Sequence, residues 1–222
     1  SDLASLKTRA VREGDHYIVN GQKTWTTLGQ HANMIFCLVR TNTEVKNQAG
    51  LSFLLIDMDT PGVEVRPITL LDGTKEVNEV WFTDVTVPVE NLVGVEDTGW
   101  TYASYLLAQE RTNIAGVGFS NAGLEAVKRM AKAEMSGGKP LIENPHFAAR
   151  IAQVEMDLMA MSLSNLRIVS KAAKGGAPGM EASMLKIKGS VIRQEINDLA
   201  RRAVGPYALP FASEAVDGSN EA

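Results

Sequence analysis

Two short segments of this 222-residue chain hold residue types that could do chemistry. In the first, residues 21–29, Trp25 stands among threonines. In the second, residues 106–116, the neighbouring Glu110 and Arg111 stand among leucine, isoleucine and alanine residues. An acid and a base near the apolar stripe of a helix need a partner or a function, because an unpaired buried charge is costly. The simpler alternatives are a core tryptophan and a pair of surface charges.

Composition narrows the classes of protein to which these segments could belong. Lysine and arginine number 22 and aspartate and glutamate 26, so the net charge is −4 and no basic stripe favours nucleic acid. The hydrophobic fraction of 45% is enough for a packed core. The single cysteine, Cys37, excludes an internal disulfide, and we predict a buried, unreactive thiol. The histidines His16, His31 and His146 are too scattered to predict a metal site.

The first 95 or so residues read as short strands separated by turns. The Asn-Gly pair at 20–21 stands between two β-rich stretches and predicts a two-residue hairpin. Apolar runs at 34–39 and 51–56 have strand length, and 63–65 and 80–82 alternate. Several short strands at close spacing predict an antiparallel β-barrel or sandwich.

After Gly99 the spacing of apolar residues becomes helical. We predict one helix from Trp100 to about Met135, a second after the Asn-Pro pair at 144–145, and a third from Pro178 to near Gly205. The second helix carries an apolar seam at steps of 4, 3, 4 and 3, formed by Phe147, Ile151, Val154, Leu158 and Met161. The predicted fold class is α+β, with a β domain over 1–97 followed by a partial helical bundle over 98–222.

Several motifs resemble those of the acyl-CoA dehydrogenase family. Segment 20–27 reads Asn-Gly-Gln-Lys-Thr-Trp-Thr-Thr and is similar to the family motif Asn-Gly-x-Lys-x-Trp-Ile-Thr. Segments 59–63 and 82–88 resemble further landmarks, and the Ser-Asp pair at 1–2 resembles the end of a Glu-Pro-Gly-Ala-Gly-Ser-Asp segment. Since order and spacing also match, the chain is identified as a member over nearly its whole length. It would begin just inside the family's middle β domain and end within its helical domain, as a fragment or truncated gene product would.

The resemblance implies an FAD-dependent enzyme that removes the α-proton of an acyl-CoA thioester and passes the β-hydride to flavin N5. A carboxylate shielded from water is the stronger base, because burial disfavours its charged form. Most members carry the catalytic glutamate in the C-terminal half. A minority, including the isovaleryl and long-chain enzymes, place it immediately before an arginine of the first bundle helix. Glu110 matches that position and is the predicted base, and Arg111 would anchor substrate or compensate negative charge.

The resemblance also implies which residues meet the cofactor. Trp25 matches the tryptophan that packs against the isoalloxazine ring of FAD, and Thr27 matches the residue that hydrogen-bonds near N5. Thr26, between them, would contact the flavin through its backbone. Ser1 matches a serine near the flavin and the CoA moiety and is the predicted substrate contact.

Two regions depart from the family pattern. Around residues 135–145 the family's Arg-x-x-Phe-Gly segment and a downstream glutamine are missing, and the second departure lies at 202–206. Arg202 stands roughly where relatives carry a glutamine, ahead of a glycine pair that meets the FAD pyrophosphate. Gly205 is kept, whereas Pro206 replaces one glycine of the pair. Since arginine pairs well with phosphate, Arg202 and Gly205 are predicted to bind the cofactor. The departures leave open a non-catalytic member of the family, and the same fold hosts flavin monooxygenases and nitroalkane oxidase-like proteins.

The expected partners follow from the same resemblance. They are an acyl-CoA substrate, an electron-transfer flavoprotein or similar acceptor, and further copies of the chain in a homodimer or homotetramer. No run reaches the ~18 apolar residues of a membrane span. The expected location is the cytoplasm of a bacterium or the mitochondrial matrix of a eukaryote.

Overall fold

The computed structural model describes residues 2–110, 115–174 and 181–208. These residues divide into two units, one reaching to Leu106 and the other beginning at Leu107. In the described part of the chain, no helix has both the length and the apolar character needed to cross a membrane.

The first unit is built on a six-stranded sheet. Its strands are β1 (Arg9–Glu13), β2 (His16–Thr27), β3 (Met34–Arg40), β4 (Leu51–Asp57), β5 (Val63–Ile68) and β6 (Val77–Pro88). The spatial order is β4-β3-β1-β2-β6-β5, and every ladder is antiparallel except the short one between β1 and β3. The predicted antiparallel β domain is confirmed. It is an open sheet, since no ladder joins the edge strands β4 and β5 in the described residues.

The predicted hairpin at the Asn-Gly pair is wrong. β2 runs straight through Asn20 and Gly21, and the chain reverses earlier, between Glu13 and His16, which face each other across β1 and β2. Gly21 instead marks a register shift in the ladder with β6. It has φ +141°, and a Cβ there would lie 2.7 Å from the Cα of Thr8. The glycine is therefore required for close backbone approach at a bulge, a role that local sequence does not distinguish from a turn.

The core of the first unit lies on the inward face of the sheet. The nearly or fully buried side chains include Ala10, Tyr17, Val19, Cys37, Val39, Leu54, Ile56, Val80, Phe82, Val85 and Val87. Cys37 is only 1% exposed, which confirms the predicted buried thiol.

Four α-helices follow the sheet in the part of the chain that the structure describes. They are α1 (Gly99–Glu110), α2 (Val117–Ala133), α3 (Pro145–Ala173) and α4 (Glu181–Val204). The predicted single helix from Trp100 to Met135 is wrong, because it is interrupted before α2. Gly116 has φ +58°, a left-handed conformation that cannot continue a right-handed helix. After α2, Gly137 and Gly138 form the turn of a two-residue hairpin.

The helix α3 begins and packs as its sequence predicts. The Asn144 side chain accepts hydrogen bonds from the backbone N–H groups of His146 and Phe147, and Pro145 occupies the first helical position. All five residues of the apolar seam are buried, against residues of α2 and α4 that include Leu124, Val127, Leu185, Ile192, Ile196 and Leu199. The predicted end of the third bundle helix near Gly205 is confirmed by α4, whereas its predicted start at Pro178 lies outside the described residues.

Candidate functional site

The Trp-Thr-Thr segment lies at a bulge in β2. Its ladder with β6 is regular from Gly21 to Lys23, shifts register a second time, and resumes at Thr26, which faces Asn78. Trp25, inside the shift, has φ +66°, a region that bulky side chains rarely occupy. The residue is 64% exposed, although an apolar side chain of this size is normally well covered. The bulge therefore turns an aromatic ring outward from the sheet.

A second left-handed residue closes the same segment. Leu28 has φ +53° and a side chain that is 52% exposed. Its backbone N–H donates to the carbonyl of Glu76 at 2.7 Å, which ties the end of the segment to the chain that enters β6. Thr27, the last residue of β2, is exposed. The segment thus presents Trp25 and Thr27 to solvent on a backbone that is held at both ends.

Asn78 lies buried beside the bulge. Its Nδ2 donates to the Thr26 carbonyl at 3.0 Å and to Gln30 Oε1 at 2.5 Å. Gln30 in turn donates through Nε2 to the carbonyl of Lys75 at 2.8 Å. Sequence reasoning missed Asn78, yet a signal was present. In the alternating run of β6, Asn78 occupies an inward position, like Val80 two residues later.

Lys23 supports the other side of β2. Its ammonium Nζ donates to the carbonyl oxygen of Leu38 on β3 at 2.6 Å. Burial lowers the pKa of the Lys23 side chain, and its closeness to the Cys37 thiol opposes that shift. The hydroxyl of Thr8 donates to the Gln22 carbonyl at 2.9 Å, next along β2. These two bonds hold the strand just ahead of the Trp25 bulge.

Glu110 is the last residue of α1, and its side chain is exposed. Leu107 is exposed as well, whereas Ala115, which follows the interruption, is buried. Glu110 stays the predicted base, and Ile114, which belongs to the predicted apolar stripe, lies outside the described residues. Arg111, the predicted substrate anchor, lies outside the described residues, as does Ser1.

Arg202 belongs to a cluster of charges near the end of α4. Its Nε donates to Asp198 Oδ2 at 2.6 Å, and Arg201 donates to Oδ1 at 2.7 Å. Arg150 of α3 contacts Asp198 at 3.1 Å. The hydrogen bonds from Arg202 and Arg201 hold the pKa of the Asp198 carboxyl far below its usual range. Gly205 comes directly after the last residue of α4. It has φ +55° and begins a short 3-10 helix.

The structure brings the predicted residues together in two groups. Trp25, Thr26 and Thr27 share one bulge in the first unit, whereas Arg202 and Gly205 lie three residues apart at the end of α4 in the second. The second unit also contains Glu110.

Comparison with known proteins decides what this arrangement is. Residues 1–85 match the model of the acyl-CoA dehydrogenase middle domain, and residues 97–219 match that of the acyl-CoA dehydrogenase C-terminal domain. The chain belongs to the acyl-CoA dehydrogenase family. The motif resemblance that the sequence predicted is thereby confirmed.

Individual members of the acyl-CoA dehydrogenase family agree with this assignment. The chain is 33% identical over 210 residues to acyl-CoA dehydrogenase FadE29 of Mycobacterium tuberculosis, covering 95% of this chain and 54% of that protein. An acyl-CoA dehydrogenase structure from Geobacillus kaustophilus superposes with a TM-score of 0.88 at 29% identity, over 97% of this chain and 58% of that one. The ChsE4–ChsE5 complex of M. tuberculosis superposes with a TM-score of 0.82 at 31% identity. The match covers 97% of this chain and 57% of the chain in that structure. The chain thus spans about half the length of the relatives it matches.

Proposed function

We propose that this chain contributes the flavin site and the catalytic base of an acyl-CoA dehydrogenase that introduces an α,β double bond into an acyl-CoA thioester. One observation carries the proposal beyond family membership. Trp25 resembles the family's flavin-packing tryptophan, and its indole stands exposed on a strained bulge. We also propose that the functional division is a middle domain over 1–97 and a helical domain over 98–222.

The residues present suit FAD. The exposed indole of Trp25 offers a face against which a planar ring can stack, and the Thr27 hydroxyl and Thr26 backbone offer hydrogen bonds. Arg202 and Gly205 are the proposed pyrophosphate contacts, since the terminal guanidinium nitrogens suit phosphate oxygens. FAD, when bound, supplies the acceptor for the hydride that leaves the β-carbon.

Glu110 is the proposed base for the α-proton. The thioester acidifies the α-carbon, and a carboxylate at the exposed end of α1 is accessible to a substrate. A bound acyl chain would displace water from Glu110 and raise its basicity, because loss of solvent disfavours the charged form. Ser1 and the neighbouring Arg111 are the proposed substrate contacts.

The proposed partners extend the family assignment. We propose an acyl-CoA substrate, an electron-transfer flavoprotein or similar acceptor, and a homodimer or homotetramer. The ChsE4–ChsE5 structure is a complex of two proteins, so a different subunit of the same family is the alternative to a second copy.

The test is a visible spectrum of the purified chain with FAD, before and after anaerobic addition of acyl-CoA substrates. We expect retained flavin that bleaches with substrate. Glu110→Gln should keep the flavin and slow bleaching by about 100-fold or more, because general-base catalysis contributes about that much. Glu134→Gln, at an exposed glutamate just after α2, is the matched control and should bleach like the parent.

The other outcomes separate the alternatives. Normal bleaching by Glu110→Gln would move the base elsewhere. No retained flavin would make the chain an incomplete or a non-catalytic member of the family. Oxygen consumption with a substrate that is not a CoA thioester would favour a monooxygenase or a nitroalkane oxidase-like activity.

A further inference from the structure

The bulge that carries Trp25 cannot hold its shape by local preference. Trp25 and Leu28 both have left-handed backbone conformations, which are unfavourable for residues with a bulky side chain. Such strain persists only where surrounding contacts outweigh it. The contacts that do so should therefore be found against the backbone between these two residues.

Asn78 makes the contact that the strained segment needs. Its Nδ2 bridges the Thr26 carbonyl, between the two strained residues, and Gln30, which lies just beyond them. Gly29 fits closely against the same side chain, since a Cβ at that position would lie 3.4 Å from Asn78 Nδ2. The Gln30 amide carries the link on to the Lys75 carbonyl. The buried Asn78 amide therefore links the bulge directly to Gln30 and, through Gln30, to Lys75.

The inward position of Asn78 is costly, which argues against a role as core filler. The residue is 0% exposed, and its Oδ1 is buried with no hydrogen-bond partner in the described part of the chain. A buried acceptor without a partner destabilises the fold, because it gives up its hydrogen bonds to water. Val80, the next inward-facing residue of β6, is buried in the same alternating pattern without placing a polar side-chain atom in the core. An apolar side chain would thus suit the core better, whereas only a donor can hold the Thr26 carbonyl.

We propose that Asn78 is a positioning residue for the flavin site. It holds the Thr26 carbonyl and so keeps the Trp25 indole and the Thr27 hydroxyl outward, ready for the isoalloxazine ring. The inference rests on the proposed function of residues 25–27 and adds to it a buried residue that does not itself meet the flavin.

The test compares Asn78→Leu and Asn78→Asp with the parent in the full chain. Asn91→Asp is the matched control, because Asn91 Nδ2 also donates to a strand carbonyl, that of Leu55 at 3.0 Å, away from the bulge. The first measurement needs no flavin and follows amide hydrogen exchange of residues 24–29. The second is the FAD dissociation constant between pH 5 and 9, from quenching of FAD fluorescence.

In Asn78→Leu the amide hydrogens of residues 24–29 should exchange faster than in the parent. The variant should bind FAD about fivefold more weakly, which corresponds to the loss of one neutral hydrogen bond. Asn78→Asp should show the same losses at high pH, where a carboxylate faces the Thr26 carbonyl. It should recover as the pH falls, because the protonated acid can donate to that oxygen, and burial raises its pKa. The parent and Asn91→Asp should show no such recovery.

Parent-like exchange and FAD affinity in both Asn78 variants would overturn the inference, and so would losses in Asn78→Asp that do not depend on pH. If Asn78→Leu fails to fold, Asn78→Asp decides alone through its recovery. Failure of the parent to bind FAD would overturn the proposed function and the flavin part of this inference. Exchange at residues 24–29 would still decide whether Asn78 anchors the bulge.

Discussion

The Lys23 ammonium on β2 donates to the Leu38 carbonyl on β3 at a level of the sheet that no strand of the described residues occupies between them. β1 separates β2 from β3 only from Arg9 onward, where Arg9 faces Asn20 on one side and Arg40 on the other. Beyond that point β2 and β3 continue without β1. The hydrogen bond from Lys23 to Leu38, at 2.6 Å, closes part of this gap.

Lys23→Met should therefore destabilise the chain. The Leu38 carbonyl would lose a charged donor, which is worth about 1.5–3 kcal/mol. Burial lowers the pKa of Lys23 in the folded chain below its ordinary value of 10.5. At a pH between the lowered pKa and 10.5, the unfolded chain therefore binds more protons than the folded chain. The stability of the parent therefore gains with rising pH across that interval, and the variant lacks this gain. Urea unfolding between pH 7 and 10 should show the difference between parent and variant widening.

Lys46→Met is the control, because Lys46 is exposed. Its free energy of unfolding should stay within about 0.5 kcal/mol of the parent value. A loss as large as that of Lys23→Met would mean that removal of a lysine, and not of this bond, is responsible.

Cys37 should resist thiol reagents in the folded chain. It is 1% exposed, and burial raises the pKa of its thiol from 9.0 to about 11. Labelling at pH 8 should proceed only as fast as the chain opens, and it should accelerate in urea. Rapid labelling of the native chain would contradict the buried position.

The Cys37 thiol should also weaken the fold at alkaline pH. Between pH 9 and 11 the unfolded thiol ionises while the folded one keeps its proton, so stability falls as pH rises. Cys37→Ala removes this contribution, and the decline across that interval should be shallower than in the parent. Urea midpoints at pH 8, 9, 10 and 11 measure it, and an unchanged slope would count against the raised pKa. Lys23 contributes a slope of the opposite sign in both proteins.

Gly189→Ala should disrupt the packing of α4 against the start of α2. A Cβ at this position would lie 2.6 Å from the carbonyl oxygen of Ala115, which is backbone and cannot swing away. We expect a loss of about 1–3 kcal/mol in the free energy of unfolding, as overpacking usually costs. Gly118→Ala is the matched control, since its Cβ would meet nothing within 4 Å and alanine favours the helix. Thermal unfolding of both variants should show opposite shifts.

Asp198→Asn should change the acid sensitivity of the chain. The arginine hydrogen bonds lower the pKa of Asp198 in the fold, so its stabilising contribution is present above the ordinary value of 3.8. That contribution is lost as pH falls toward the lowered value. Thermal unfolding at pH 7 and pH 3 should show a smaller acid-induced loss in the variant than in the parent. Glu143→Gln, at an exposed position, is the control and should keep the parent's acid response.

The helical seam shows where sequence reasoning succeeded, and the Asn-Gly pair shows where it failed. Spacing alone predicted that Phe147 to Met161 line one face of a helix, because the α-helix repeats every 3.6 residues whatever surrounds it. The Asn20–Gly21 pair has the composition of a hairpin turn, but its conformation depends on pairing with β6, some 60 residues away. Local composition cannot separate a turn from a bulge when the partner strand decides.

The sequence by itself determined the change from strands to helices near Gly99, the buried seam of α3, and the family, since all three depend on residue types at fixed spacing along the chain. Only the tertiary structure decided that Trp25 stands outward on a strained bulge, that Asn78 donates to the Thr26 carbonyl of that bulge, and that Lys23 on β2 donates to the Leu38 carbonyl on β3. These features depend on groups 15 to 52 residues apart meeting within hydrogen-bonding distance. Their geometry follows from strand order and register, which are settled when the whole sheet packs its core.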